Sequence, residues 1–229
     1  MITGLNGAMV LKNGEQQIEI VSGENSFLFA GQASGTAYQV EFVSYPSEQY
    51  CSISDASGTV VEENITNVTI SCYAKKKIFL SNTTYRGNLV GSDSNFDTAD
   101  SYCNSDSNKP SDNSNYKALL GGFTRYPGGS DWVFANDIAY VRSVGDVFLV
   151  KITETMSYTE LVNSLNGQGN TFWTGLDANW NISNNCCTWS SSTNSCNGNL
   201  GIGNVIDKTS IAYTTSSCDT KYKLLCVEQ

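Results

Sequence analysis

The sequence predicts two domains, an all-β sandwich over residues 1–74 and an α+β domain over residues 78–229, joined by a linker at 75–77. Three observations carry this reading. The first seventy-odd residues are short apolar–polar alternations separated by turn signals. The remainder mixes helical spacing with strand-like runs. Eight cysteines, an even number, fall in two clusters, one in each half.

In the first half, Met9-Val10-Leu11 runs into Asn13-Gly14, a hairpin signal. Ile18 and Ile20 alternate with Gln17 and Glu19, and Phe27-Leu28-Phe29 reads as a further strand. Tyr38, Val40 and Phe42 repeat at period two, and Val68, Ile70 and Cys72 share one face of the last strand. About seven strands at this spacing predict a sandwich. Cys51 and Cys72 fit a bridge between two late strands, worth ~3 kcal/mol through chain entropy.

In the second half, Ile78-Phe79-Leu80 starts a strand. Residues 93–106 read as a helix, because Phe96, Ala99 and Cys103 recur at i, i+3 and i+7. A strand follows at 116–120. Residues 158–165, with Leu161, Val162 and Leu165 apolar, read as a second short helix, and Phe172-Trp173 opens another strand. Residues 179–217 are rich in Asn, Ser, Thr and Gly and predict a long loop region of the kind that carries function.

Composition narrows the function classes. Cysteines at this density point to disulfides and an oxidising compartment, and a chain without histidine is a poor zinc protein. The formal charge of −9 is spread over both halves, which argues against nucleic acid, heparin or an anionic membrane surface as partner. Lys75-Lys76-Lys77 reads as a solvated linker. No apolar run is long enough to span a bilayer. Met1-Ile2-Thr3 enters a strand pattern at once, so any export signal or lipid anchor is expected to precede residue 1, and a membrane is reached only through such an anchor. Without histidine there is no Ser-His or Cys-His pair. Asp131, Asp137, Asp146, Asp177 and Asp207 lie scattered, with nothing to select a catalytic pair. The expectation is a non-enzyme without cofactor or metal. Asp93, Asp97 and Asp100 sit at helical spacing and read as a solvated face rather than a calcium site.

The most specific signal lies in the last third. Trp173-Thr174-Gly175-Leu176 is followed by Cys186-Cys187-Thr188-Trp189, and Cys218 and Cys226 bracket Tyr222-Lys223-Leu224-Leu225. This combination resembles a C-type-lectin-like domain, and more closely its endostatin branch, over residues 78–229. Ala99-Asp100-Ser101-Tyr102-Cys103 and Cys226-Val227-Glu228 are similar to motifs of the leptospiral endostatin-like surface proteins. The first half resembles the bacterial Ig-like repeats, with Gly4-Leu5 near the start, the Asn-Gly turn and a cysteine in the final strand; such repeats act as spacers. The fold class implied is thus an all-β Ig-like sandwich followed by an α+β C-type-lectin-like, endostatin-like domain.

The resemblance implies bridges Cys103–Cys226 and Cys186–Cys218, which leaves Cys187 and Cys196 for an extra one. The sequence itself leaves open which of the adjacent Cys186 and Cys187 takes Cys218. On an extended backbone the two would point in different directions and serve separate bridges. The resemblance also implies a surface adhesin, anchored as an outer-membrane lipoprotein or secreted, that binds host matrix proteins such as laminin or fibronectin, or a complement regulator. The rival readings are a carbohydrate-binding lectin and a structural envelope protein. Calcium-mediated sugar binding is disfavoured, since neither calcium-ligand triplet of such lectins occurs. Endostatin's heparin and zinc sites are also put in doubt, by only three arginines in this domain (Arg86, Arg125, Arg142) and no histidine.

Trp173 and Trp189 are expected in the core. The partner surface is expected on the 179–217 region, with Trp180 as aromatic anchor and Asn197, Asn199, Asn204 and Asp207 as exposed polar contacts. Arg125 and Tyr126 mark the alternative surface.

Overall fold

At Asn13-Gly14 the chain turns back on itself as predicted. After a two-residue strand β1 (Ile2–Thr3), strands β2 (Met9–Asn13) and β3 (Gln16–Ile20) pair as a hairpin, with Leu11 opposite Ile18 and Met9 opposite Ile20. The structure is a computed structural model that describes residues 1–61, 64–90 and 95–229. It is mostly β, and its internal contacts divide the chain into two units, Met1–Lys75 and Lys76–Gln229.

The first unit continues with β4 (Ala37–Ser44), β5 (Gln49–Ser54), β6 (Ser57–Thr59) and β7 (Thr69–Leu80). Four strands form an antiparallel sheet in the order β3-β2-β4-β6. β5 pairs antiparallel and β1 parallel with the first part of β7. The period-two faces explain the core: Met9, Leu11, Ile20 and Val40 meet Ile2, Ile70 and Cys72 in one buried cluster. Cys51 lies directly opposite Cys72 and is bridged to it, with 4.1 Å between the Cα atoms. Phe27-Leu28-Phe29 is not a strand. Both phenylalanines pack on the core while Leu28 is 86% exposed, so the alternation is real, but the segment lacks a ladder partner among the described residues.

Residues 75–77, expected as a linker, lie within β7. Their polar groups have strand-like partners: the Lys75 amide donates to the Glu48 carbonyl, and the Lys77 amide donates to the Glu228 carboxylate.

In the second unit the helix α1 (Asp97–Ser105) buries Ala99 and Cys103, as the spacing predicted, but it starts later than residue 93. Asp93 lies outside the described residues. Strands β8 (Tyr116–Ala118), β9 (Ala139–Arg142), β10 (Val147–Lys151), β11 (Thr171–Trp173), β12 (Asn197–Ile202), β13 (Thr214–Ser217) and β14 (Lys223–Glu228) follow. With residues 78–80 of β7 they form a mixed sheet in the order β10-β9-β7-β14-β11-β12-β13, and β8 also pairs with β14. β14 runs antiparallel to β7 and β8 and parallel to β11.

Two expectations fail here for identifiable reasons. Residues 158–165 are irregular rather than helical. Tyr158, Leu161 and Leu165 are buried at helix-like spacing, yet the Leu161 amide donates to the Ile206 carbonyl and the Val162 amide to the Leu149 carbonyl, both at 2.7 Å. Tertiary partners thus take the donors that a helix needs for its own turns. Nor is 179–217 one long loop, because β12 and β13 run through it. Asn197-Gly198-Asn199-Leu200-Gly201-Ile202 looks like loop sequence because close packing demands its glycines. A Cβ on Gly198 would stand 2.6 Å from the Trp173 ring and 2.8 Å from the Cys186 sulfur, and one on Gly201 would meet the Phe172 ring at 2.6 Å.

Four disulfides close: Cys51–Cys72, Cys103–Cys226, Cys186–Cys218 and Cys187–Cys196. No cysteine is free. Cys103–Cys226 spans 123 residues and ties α1 to the middle of β14, whereas Cys187–Cys196 spans 9. Chain entropy assigns ~5 kcal/mol to the first and ~2.5 kcal/mol to the second. Replacing both partners of each bridge by serine should therefore lower the denaturant midpoint about twice as far for the Cys103/Cys226 variant. Equal losses in parallel denaturation curves would contradict this ranking.

Candidate functional site

The second unit carries an open groove of about 430 Å³. Three segments border it: Tyr126-Pro127, then Thr155 and Ser157, then 179–182. Each is held from beneath by a distinct device.

Arg125 holds the first. Its guanidinium is 1% exposed, lies 4.4 Å from the centroid of the Phe96 ring, and pairs with two carboxylates. Nη1 and Nη2 donate to the two Asp100 oxygens at 2.7 and 2.8 Å, Nε donates to Asp131 at 2.9 Å, and Nη1 also reaches the Ala118 carbonyl. This fixes the loop to α1 and β8, and the next side chain, Tyr126, emerges 44% exposed. Burial pushes Asp131 up, but hydrogen bonds and charge from Lys117 and Arg125 outweigh it and hold the carboxyl below its usual range.

Asp177 organises the third segment. Its Oδ1 accepts the amides of Asn179 and Asn181 at 2.8 and 2.9 Å, and its Oδ2 accepts from the Asn181 side chain. This Asx-type turn leaves Trp180 in the left-handed region, at φ 65°, and swings its ring inward. The indole meets Tyr158, Trp132 and Phe134 edge to face at 4.7 to 6.0 Å, and its N–H donates to the Tyr158 carbonyl. Trp132 supports the middle segment by donating to the Met156 carbonyl at 2.6 Å.

The expected contacts sort as follows. Trp180 is 7% exposed: it floors the groove and belongs to the core, so it is no free anchor. Arg125 is buried and internally neutralised, which corrects its expected role as a surface contact. Asn199 is also buried, donating from Nδ2 to the Leu176 carbonyl at 2.8 Å while its own oxygen accepts from Asn184. Asn197, Asn204 and Asp207 are exposed but do not line the groove, and Asp207 is spent capping the turn Lys208–Ser210. Asp100 serves Arg125 and the Ala118 amide. Ile182, 43% exposed at the rim, was missed by the sequence reading; its place two residues beyond a tryptophan in an Asn-rich stretch was the available signal. Trp173 and Trp189 are fully buried.

Beneath the sheet, Cys186–Trp189 forms one left-handed helical turn, with φ between 52° and 61° at all four residues. The extended backbone expected there is thus corrected. L-residues avoid this conformation by about 1–2 kcal/mol each. Here two bridges, the Asn185 side chain accepting from the Thr188 amide, and the Trp189 indole donating to the Gly121 carbonyl at 2.9 Å impose it.

A groove on a disulfide-stapled, mostly β unit defines a class. Several disulfides suggest an extracytoplasmic protein, and among the described residues no helix is long and apolar enough to cross a membrane. The chain belongs to the DUF1554 family, proteins of unknown function, whose model matches residues 82–206, just over half of the chain and all of the groove. Among curated proteins there is no match.

Removing Arg125 leaves two partly buried carboxylates facing each other. Arg125→Ala should cost about 3 kcal/mol in denaturation, and Arg125→Lys should not restore it, because a point charge cannot replace the fork. The sign for pH follows from Asp131: a depressed folded pKa stabilises above the unfolded value near 4 and is lost as pH falls through the folded one. Stability curves should therefore drop below about pH 4, with a shallower drop for Asp131→Asn.

Proposed function

We propose that this chain is a non-enzymatic adhesin of a bacterial surface, with an endostatin-like, C-type-lectin-like second unit presented on an Ig-like spacer. Its partner is a host extracellular-matrix protein or a complement regulator. The observation that carries this reading is the groove rim, where Tyr126 and Ile182 stay exposed on segments pinned by the buried Arg125 and by the Asp177 turn. Pre-ordered loops lose little entropy on docking, and exposed aromatic and aliphatic side chains over a rigid floor are the usual anchors of protein interfaces. The sequence resemblance supports the partner class, and the disulfides support export. A second reading, a calcium-independent lectin, draws on the uncharged lining, where Asn179, Asn181, Thr155 and Ser157 offer amides and hydroxyls beside an aromatic ring.

The test is surface binding of the purified chain to laminin, fibronectin and serum complement regulators. Tyr126→Ala with Ile182→Ser should weaken binding at least about tenfold, the equivalent of 1.4 kcal/mol, without moving the melting transition. Undiminished binding by this variant would move the partner surface elsewhere. Binding to neutral glycans, lost in the same variant, would favour the lectin reading.

A further inference from the structure

A second, smaller pocket of about 220 Å³ opens beside α1, remote in its residues from the groove. Tyr85 and Tyr102 stack in its wall with centroids 4.2 Å apart and planes 12° from parallel. Thr84 and Asn88 add neutral polar groups, and Arg86 and Lys221 supply two cations.

The placement of those cations is unusual. Tyr85 and Tyr222 form an isolated antiparallel bridge, so Arg86 and Lys221 are the next residues along its two sides. Like charges set across such a pair repel. Most other cations of this unit have a carboxylate or carbonyl partner, Arg142 among them through the Ser164 carbonyl. Lys77 and Lys109 pair with Asp112, Lys117 and Arg125 with Asp131, and Lys151 with Asp137, while Lys223 caps the carbonyls of Ser81 and Asn82. Among the described residues, neither Arg86 nor Lys221 has such a carboxylate. Asp219, two residues from Lys221, accepts from the Ser217 hydroxyl, and Asp106 accepts the amides of Asn82, Thr83 and Asn108. In a chain of net charge −9, these two neighbouring cations in one concavity offer an external anion a local positive site.

We propose that this pocket binds a single acidic sugar, with the carboxylate held between Arg86 and Lys221 and the ring lying against the Tyr85–Tyr102 stack. The guanidinium fork matches a carboxylate, and aromatic faces with neighbouring amide and hydroxyl groups suit a pyranose. The volume lies below the ~300–1,000 Å³ of pockets that take drug-sized ligands, so one terminal residue fits rather than a chain. The remaining negative charge of the protein repels long polyanions. The site is independent of the groove and does not rest on the adhesin reading.

Saturation-transfer NMR with sialyllactose, glucuronic acid and lactose tests this, with a heparin oligosaccharide as control. Sialyllactose or glucuronic acid should bind while lactose does not, and whichever acid binds identifies the source of the carboxylate. Arg86→Gln with Lys221→Gln should weaken that binding at least tenfold, with an unchanged or slightly raised melting temperature because the repulsion is removed. Tyr102→Ala should weaken it with both charges intact. No binding of either acid, equal binding of lactose, or binding of heparin alone would overturn the proposal.

Discussion

The second unit depends on one strand held from both sides. β14 has β7 along one edge and β8, then β11, along the other, and Cys226 in its middle is bonded to α1. Leu225 and Val227 point into one buried cluster and Leu224 and Cys226 into the other, so this strand separates and organises both cores. The two concavities lie at the margins of these layers. The Trp132–Trp180 cluster supports one, and Tyr85, bridged to Tyr222 beside β14, supports the other.

Charge is handled differently in the interior and at the rim. At Arg125, which is 1% exposed, the guanidinium donors are matched to two carboxylates and a carbonyl, because an unpaired buried charge is prohibitive. At the groove the lining carries no formal charge, and its shape comes from amide-to-carboxylate turns such as that at Asp177. A surface of this kind discriminates by contour and hydrogen-bond pattern more than by long-range attraction.

What the sequence made legible was periodicity and covalent chemistry. The Asn13-Gly14 hairpin, the inward faces of β2, β4 and β7, the buried face of α1 and the Cys51–Cys72 bridge follow from local rules, whereas the bridges of the second unit were implied by the family resemblance. What escaped it was decided by distant partners. Helix-like spacing at 158–165 is a set of three buried anchors on an irregular path, because Ile206 and Leu149 claim the amides. The glycines of β12 look like loop and are strand, because the rings of Trp173 and Phe172 lie against them. Trp180 looks exposed in an Asn-rich context and is core, because the Asp177 turn reverses its direction. Arg125 looks like a surface cation and is buried, paired with two carboxylates and a carbonyl. The groove was half legible: Tyr126 and Trp180 both border it, but no local pattern says that they meet.

The left-handed turn at Cys186–Trp189 has a consequence for oxidative maturation. Six cysteines in this unit allow fifteen pairings in principle. The free chain rarely visits the conformation that aims Cys186 inward and Cys187 outward, since four successive residues must adopt it together. In the folded unit, Trp189 docked under Gly121 and Trp173 packed against Gly198 hold the two sulfurs apart in the native pairing. Apolar packing thus favours one pairing of the adjacent thiols, and thiol–disulfide exchange is the route by which a mispaired isomer reaches it.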